Sequence, residues 1–153
     1  MAKIKTKERR DLLEKFKAFY DDLSLDSLKN LSDIYHDDVS FVDPVTQVNG
    51  LDDLKSYLNH GLANVSSCHF AIYEEMVNQK QAFVVWQMRL HHEKLAGGLE
   101  IVVPGTSHLV FSEDSHSIRH QVDYYDLGAM VYEHVPVLGW ILGKVRQRMV
   151  DFE

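Results

Sequence analysis

The sequence lacks the features that mark several large classes of protein. Its single cysteine, Cys68, excludes an intrachain disulfide. No run approaches the roughly 20 consecutive apolar residues that cross a bilayer, and no apolar segment follows the polar, basic start of the chain, as it would in a signal peptide. Basic residues number 16 against 23 acidic ones, a net charge of −7, which disfavours phosphate contacts. We therefore expect a cytoplasmic protein with no nucleic-acid partner and no membrane partner.

What is present is the composition of one ordinary globular domain. The chain has 153 residues, of which 45% are hydrophobic and 25% charged. A chain of this size and composition buries a core without help from disulfides. The sequence has no internal repeat and no linker, so we expect a single domain over residues 1–153.

The first half of the chain shows helical spacing. Apolar residues recur three and four positions apart, which places them on one face of a helix. A short β-prone run ends at Asp43-Pro44, because proline cannot donate to a strand ladder. These patterns predict helices over 12–23, 24–35 and 51–62, and a short strand over 39–42.

In the second half the apolar period changes to two, and β-branched and aromatic residues become frequent. The connections between these runs are short and polar, so the strands should be sequential antiparallel neighbours. Pro104-Gly105 predicts a bulge or a bend that curls the sheet. Long strands are predicted over 69–76, 81–92, 99–111 and 117–126. Helices followed by such a meander predict an α+β fold, with a curved antiparallel sheet around a small apolar pocket.

The last segment, residues 127–150, is apolar and then basic, with Pro136 separating two predicted helical pieces. We expect these helices to pack over the sheet or the mouth of its pocket. A subunit contact or a helix on a membrane surface is the alternative, because apolar residues beside cations suit either.

The order of elements and several motifs resemble the nuclear transport factor 2-like superfamily, and in particular its SnoaL-like proteins. The motifs are FVDPV at 41–45, GTSH at 105–108, HQVDYYD at 120–126 and YEHVPVLG at 132–139. The resemblance implies a cone-shaped, strongly curved antiparallel sheet wrapped around helices, with a core over about 8–126 and an extra helical tail over about 127–150. It also implies a homodimer formed through the sheet and a site without a cofactor.

Asp43 is the first candidate catalytic residue. It matches the general-base aspartate of ketosteroid isomerase, which lies in a similar Asp-Pro-Val context. That chemistry needs a carboxylate above an apolar pocket. The alternative is that Asp43 simply forms a turn before Pro44. The other parts of that enzyme's site are not matched, because Phe16 stands where its tyrosine would be and Ser107 lies near its aspartic acid.

Asp123 is the second candidate, on the last strand. Alternate strand residues share a face, so Gln121, Asp123 and Tyr125 point the same way. SnoaL-like cyclases resemble this chain in placing an acid/base aspartate on the final strand, pointing into the cone. If Asp123 faces inward, it is a buried carboxylate with polar neighbours, which suggests a role in chemistry. The alternative is a structural aspartate bonded to a neighbouring strand.

His108 is the third candidate, as a proton relay. Strand parity leaves open whether His108 or Ser107 lines the pocket, and a half-buried histidine is often structural. The remaining histidines lack the spacing of a metal site, so we expect no metal.

The proposed pocket wall is aromatic and apolar, and it predicts a small hydrophobic ligand. Its substrate-binding candidates are Tyr20, Tyr35, Tyr57, Trp86, Met88, Gln121 and Tyr125. The predicted function is a cofactor-free isomerase or cyclase, or a dehydratase or hydrolase, acting on a hydrophobic carbonyl or polycyclic compound. The alternatives are a non-catalytic ligand-binding module and a dimerisation module.

Overall fold

The computed structural model describes residues 2–114 and 116–151. The helices are α1 (Ala2–Asp21), α2 (Leu51–Gly61), α3 (Leu127–Met130) and α4 (Pro136–Val150). The strands are β1 (Tyr35–Val42), β2 (Gln47–Asn49), β3 (Val65–Val77), β4 (Gln81–His92), β5 (Glu100–Phe111) and β6 (Ile118–Tyr125). Short 3-10 turns lie at Ser27–Asp33, Ala96–Gly98 and Tyr132–His134. The helices and strands therefore follow the predicted α+β order.

The six strands form one sheet in the order β2-β1-β6-β5-β4-β3. The meander from β3 to β6 is antiparallel, as predicted, but β1 pairs with β6 in parallel. The sheet is therefore mixed and not wholly antiparallel. β1 joins the free edge of β6 across a long sequence separation, so no local pattern could reveal this pairing or its direction.

The segment predicted as the second helix is divided between two structures. A 3-10 turn covers Ser27–Asp33, and Tyr35 already begins β1. Ser24 accepts a hydrogen bond from the backbone N–H of Ser27 at 3.3 Å. The helical spacing of the apolar residues survives because a 3-10 turn also buries residues three apart, here Leu28 and Leu31.

Gly105 does not form the predicted bulge. The pairing of β4 with β5 continues in register past it, with Trp86 opposite Gly105. The indole ring of Trp86 lies across this glycine, and a Cβ there would come within 2.2 Å of the ring. Register shifts occur instead in β3, between Ile72 and Glu74, and at the end of β5. The glycine therefore makes room for a pocket-lining tryptophan.

The core lies between α1 and the inner face of the sheet. Fully buried side chains come from every layer: Leu13 and Phe16 from α1, Leu54 from α2, and Leu109 and Ile118 from the sheet. Burial of this apolar surface is the main source of the domain's stability.

The tail, which comprises α3, the turn Tyr132–His134 and α4, makes few contacts with the sheet. α3 lies against β5, whereas α4 packs mainly on the turn Tyr132–His134. Gly139 of α4 approaches the backbone of Glu133 so closely that a Cβ would come within 2.4 Å of its carbonyl oxygen. The expectation that the tail helices pack over the sheet or the mouth of its pocket is therefore wrong for α4, most of whose side chains are exposed. Within residues 2–114 and 116–151, no helix is both long and apolar enough to cross a membrane.

Candidate active site

A cavity of about 340 Å³ opens between the inner face of the sheet, α2 and the start of the tail. Most of the side chains around it are apolar. The polar groups on its wall include Asp43, Asp123, Tyr57 and Tyr125. Among its apolar lining residues are Phe41, Leu58, Phe70, Trp86, Met88, Leu90 and Met130. Such a surface suits a small hydrophobic ligand held by a few polar contacts.

The strand alternation of β6 places Asp123 on the inner face, beside Gln121 and Tyr125. Its carboxylate oxygen Oδ1 accepts two hydrogen bonds, from Ser107 Oγ at 2.6 Å and from Gln121 Nε2 at 2.8 Å. The partner Ser107 lies directly across the ladder on β5 and itself accepts from Trp86 Nε1 at 2.9 Å. Oδ2 accepts no hydrogen bond from any residue in the described part of the chain.

A second line of donors ends on the same oxygen. The hydroxyl of Tyr35 donates to Gln121 Oε1 at 2.6 Å, and the hydroxyls of Tyr20 and Tyr35 lie 2.6 Å apart. Because Tyr35 has one proton and gives it to Gln121, Tyr20 must be the donor in the tyrosine pair. Burial raises the pKa of both tyrosines, so both keep their protons. The direction of donation therefore runs from Tyr20 to Asp123.

The two hydrogen-bond chains, one through Ser107 and one through Gln121, determine which oxygen of Asp123 can carry a proton. With two donors directed at Oδ1, a proton on the carboxyl group has its place on Oδ2, the oxygen left free at the cavity wall. Withdrawal from water raises the pKa of Asp123 to about 6, although the hydrogen bonds from Ser107 and Gln121 act to lower it. The charge of Asp43 adds a smaller rise. A carboxyl group with this pKa both accepts and donates a proton near neutral pH.

Asp43 has different surroundings at the rim of the cavity. Its Oδ1 accepts the backbone N–H groups of Val45 and Thr46 at 2.8 and 3.0 Å, which is an Asx turn. Its Oδ2 accepts the hydroxyl of Tyr57 at 2.6 Å and lies 3.5 Å from the hydroxyl of Tyr125. Both oxygens are therefore engaged, and the carboxylate orients two tyrosines at the cavity wall.

His108 lies on the other face of the sheet. Its ring stacks on Phe83 with centroids 4.3 Å apart, and Nε2 lies 2.9 Å from Gln81 Oε1. Partial burial lowers its pKa, and the neighbouring His120 adds to this effect. The candidate role as a proton relay in the pocket does not fit this position, because β5 continues in register and turns Ser107 inward instead.

Residues 16–120 match the SnoaL-like domain family. The chain belongs to this family. A search of curated protein sequences finds no match. Both the family and the α+β fold that the sequence motifs indicated are thereby confirmed.

Solved structures share the fold of this SnoaL-like protein at low sequence identity. A candidate SnoaL-like polyketide cyclase from Shewanella denitrificans has a TM-score of 0.67 at 20% identity, covering 80% of this chain and 93% of its own. A candidate polyketide cyclase from Xanthomonas campestris pv. campestris has a TM-score of 0.71 at 12% identity, covering 83% and 96%. TerC, crystallised with polyporic acid, has a TM-score of 0.66 at 15% identity, covering 80% and 95%.

The predicted ligand-binding residues of this SnoaL-like protein occupy two layers. Tyr20, Tyr57, Trp86, Met88 and Tyr125 line the cavity itself. Tyr35 and Gln121 lie behind it, where they form the hydrogen-bonded support of Asp123. The structure thus brings all seven to one region, in two roles.

The sequence did not reveal the roles of Ser107 and of the tail in the site. Ser107 was named as one of two residues of β5 that could line the pocket, and the structure shows that it is buried and donates to Asp123. Met130 and Val131, from α3 and the residue after it, line the cavity. Strand parity had left the choice between Ser107 and His108 open, and the continuous register of β5 with β4 decides it for Ser107. The tail was expected over the sheet or the mouth of its pocket, and its residues Met130 and Val131 lie at the cavity.

The chemistry of the wall limits what it can bind. None of the described residues that line the cavity is Lys or Arg, while Asp43 and Asp123 both carry carboxyl groups. Burial raises the pKa of the Cys68 thiol to about 12, so this lining residue is not a thiolate nucleophile at neutral pH. The described His, Cys, Asp and Glu side chains form no group of three arranged to hold a metal ion.

Proposed function

We propose that this SnoaL-like protein binds a small, uncharged, hydrophobic carbonyl compound and rearranges it by acid–base catalysis, as an isomerase or cyclase. One observation carries the proposal. Asp123 presents a free carboxylate oxygen to an apolar cavity, while its other oxygen accepts two hydrogen bonds from behind. A carboxylate held in this way is rigid, partly desolvated and open on the side of the ligand.

The proton transfer is written for Asp123 Oδ2. The oxygen takes a proton from a carbon next to the carbonyl group, so the C–H bond breaks and an O–H bond forms. The electron pair moves onto the carbonyl oxygen and gives an enolate. Asp123 then returns the proton to a different carbon, which completes an isomerisation. In a cyclisation, the nucleophilic carbon instead attacks a second carbonyl of the same molecule, and the resulting alkoxide takes the proton.

The developing negative charge on the carbonyl oxygen needs a donor. Tyr125 is the best placed, because it lines the cavity and its hydroxyl makes only a long contact of 3.5 Å with Asp43. Burial raises its pKa, with the charges of Asp43 and Asp123 adding to the rise, so it remains a proton donor. Tyr20 is less suited, since its proton is given to Tyr35.

The substrate class follows from the charges of the wall. An anionic ligand would meet two carboxyl groups and no lysine or arginine among the described lining residues, so an uncharged compound is favoured. The low-identity relatives described as polyketide cyclases, and TerC with its polyporic acid, support a ring-containing carbonyl compound as the first class to test.

The test is a turnover screen of uncharged cyclic ketones, epoxides and polycyclic carbonyl compounds. For any substrate found, Asp123→Asn should lower kcat by about 10²- to 10⁴-fold, the usual contribution of a general acid–base group. Asp43→Asn should cost less, because Asp43 acts through the tyrosines. The matched control is His108→Ala on the outer face, which should leave kcat and KM unchanged.

The same screen distinguishes catalysis from binding. Turnover that persists in Asp123→Asn contradicts the proposed mechanism. A compound that binds to the wild type and to Asp123→Asn equally, and is recovered unchanged, supports the binding module instead.

A further inference from the structure

Helix α4 carries a concentrated exposed apolar surface. Trp140 is 65% exposed, Met149 70% and Val145 50%, although side chains of this kind are usually buried. The helix rests on the turn Tyr132–His134 and leaves the sheet uncovered. A helix with this much exposed apolar surface needs something to cover it.

The apolar side chains form a stripe with cations beside it. Leu138, Ile141, Val145 and Met149 are spaced three or four residues apart and therefore share one face of the helix. At 100° per residue, Lys144 and Arg148 flank the stripe on one side. Trp140 lies outside the stripe, on the far side of Lys144, whose ammonium group is 5.8 Å from the centre of its ring. An apolar stripe with cations beside it suits a helix that lies in a membrane interface, because the stripe can enter the interface while the cations reach the headgroups.

The cations of α4 have two different roles. Arg146 binds Glu133 and also Asp126, the latter at 3.2 Å, and so ties the helix to the body. Lys144 and Arg148 are exposed and form no ion pair with any acidic residue that the structure describes. Two cations are therefore free for an external negative charge.

We propose that α4 lies on the surface of an anionic lipid bilayer, with its apolar stripe in the interface and its free cations toward the headgroups. The charge pattern favours this occupant. α4 carries three basic residues and no acidic ones in a chain with a net charge of −7. The negative body repels such a surface weakly, because charges more than about 8–10 Å apart are screened at physiological salt, and α4 extends for about 22 Å.

A second copy of the chain fits this face less well. A stable protein interface buries about 800 Å² on each partner, which is more than four side chains of one helix supply. A bilayer needs no shape complementarity, so a single stripe of apolar side chains is enough to enter it. The proposal revises the sequence-level expectation of no membrane partner.

Contact of α4 with a bilayer would bring the bilayer close to the cavity, because α4 follows cavity-lining residues in the chain. Met130 and Val131 line the cavity, and the chain reaches α4 five residues later. A helix held on the bilayer would keep the cavity mouth beside the phase in which hydrophobic ligands dissolve. This consequence rests on the proposed function, whereas the docking itself does not.

Vesicle flotation of the full chain tests the docking. Wild type should float with vesicles of phosphatidylcholine containing 30% phosphatidylglycerol, and at least about tenfold less with phosphatidylcholine alone. Binding should weaken as salt is raised from about 50 to 500 mM. Asp123→Asn should float like wild type, so that a failure of the catalytic proposal does not affect this result.

Two pairs of variants locate the contact. Ile141→Asp/Val145→Asp should lower flotation at least about tenfold, whereas Leu25→Asp/Leu99→Asp, with the same change in charge at two exposed apolar positions outside α4, should not. Lys144→Glu/Arg148→Glu should also lower flotation at least about tenfold. Its control, Lys55→Glu/Lys94→Glu, makes the same change in charge outside α4 and should float like wild type.

Unfolding transitions matching those of wild type would show that the variants are folded. The proposal is overturned if wild type does not float, if anionic lipid makes no difference, or if the control variants lose binding equally. It is also overturned if Ile141→Asp/Val145→Asp changes the sedimentation mass from dimer to monomer without changing lipid binding, because a second copy would then cover the stripe.

Discussion

Asp43 and Asp123 border the same cavity, but their carboxyl groups differ in how many of their oxygens accept hydrogen bonds from the protein. At the rim, Asp43 accepts two backbone N–H groups and the hydroxyl of Tyr57, so both its oxygens are engaged. At the wall formed by β6, Asp123 has two donors on one oxygen and leaves the other free. The comparison separates an aspartate that shapes the site from one that is able to exchange a proton.

The difference arises from the elements that carry the two residues. Asp43 follows β1 in a turn, where its own neighbouring N–H groups satisfy it. Asp123 lies within a strand, where backbone groups are taken by the ladder and its partners must come from other side chains. Those partners, Ser107 and Gln121, approach from one side. The cavity therefore receives the remaining oxygen.

The largest effect on stability should come from removing the charge of Asp123. Its pKa is raised from 3.8 to about 6 in the folded state, so the folded protein binds more protons than the unfolded chain between these values, and stability falls as pH rises through this window. At pH 8 the free energy of unfolding of Asp123→Asn should therefore exceed that of wild type by about 1–3 kcal/mol. The gain should shrink toward pH 4.

Denaturant unfolding of both proteins from pH 4 to 8 measures this difference. Asp43→Asn serves as the comparison, and it should show a loss rather than a gain, because an amide NH2 group that cannot accept from Tyr57 replaces Oδ2. A constant difference across the pH range would mean that Asp123 is not desolvated as described.

Ser107→Ala should sharpen the comparison by removing one of the two donors behind Asp123. It also leaves the buried Trp86 Nε1–H without its acceptor, which costs about 1–3 kcal/mol of unfolding free energy. Because the hydrogen bond from Ser107 lowers the pKa of Asp123, the variant should titrate above about 6. The carboxyl carbon resonance of Asp123, followed by NMR against pH, reports this shift. A midpoint that moves down would contradict the assigned hydrogen bond.

Asp43→Ala should lower the unfolding free energy by about 1–2 kcal/mol, because the turn loses two backbone hydrogen bonds and Tyr57 loses its acceptor. Chemical denaturation gives the value. Asp43→Asn retains an acceptor for Val45 and Thr46 and should recover most of the loss. If the two variants are equally unstable, the Asx turn is not the source.

The smallest effect is expected for Tyr57→Phe. It removes a single hydrogen bond to Asp43, at 2.6 Å, and should cost about 1 kcal/mol. Adding Asp43→Ala to this variant should cost less than Asp43→Ala alone costs in wild type, since the two changes remove a shared contact. Strict additivity would show that the contact contributes nothing.

Much of this architecture could be predicted from local pattern. The strand predicted over 81–92 is β4 with the same bounds. The helix predicted over 51–62 is α2, which ends one residue earlier, at Gly61. The face shared by Gln121, Asp123 and Tyr125 followed from strand alternation alone. These features depend on neighbours two to four positions apart, which the sequence displays directly.

Other features depend on contacts between distant segments. The inward turn of Ser107 and the outward one of His108 became definite only when β5 paired with β4 and β6 in a continuous register. The tail was recognised as apolar and basic, but its packing on the turn Tyr132–His134 was not foreseen. A one-residue change of register would have exchanged the roles of Ser107 and His108.

By itself, the sequence determined the family and most of the order of helices and strands, and it named Asp43 and Asp123 as the candidate carboxyl groups. These follow from residue periodicity and from motifs that are contiguous in the chain. Tertiary structure alone decided that Asp43 is satisfied while Asp123 keeps a free oxygen. The reason is that a carboxylate's chemistry depends on which donors surround it, and the donors to Asp123 include Ser107, which strand pairing brings from another strand.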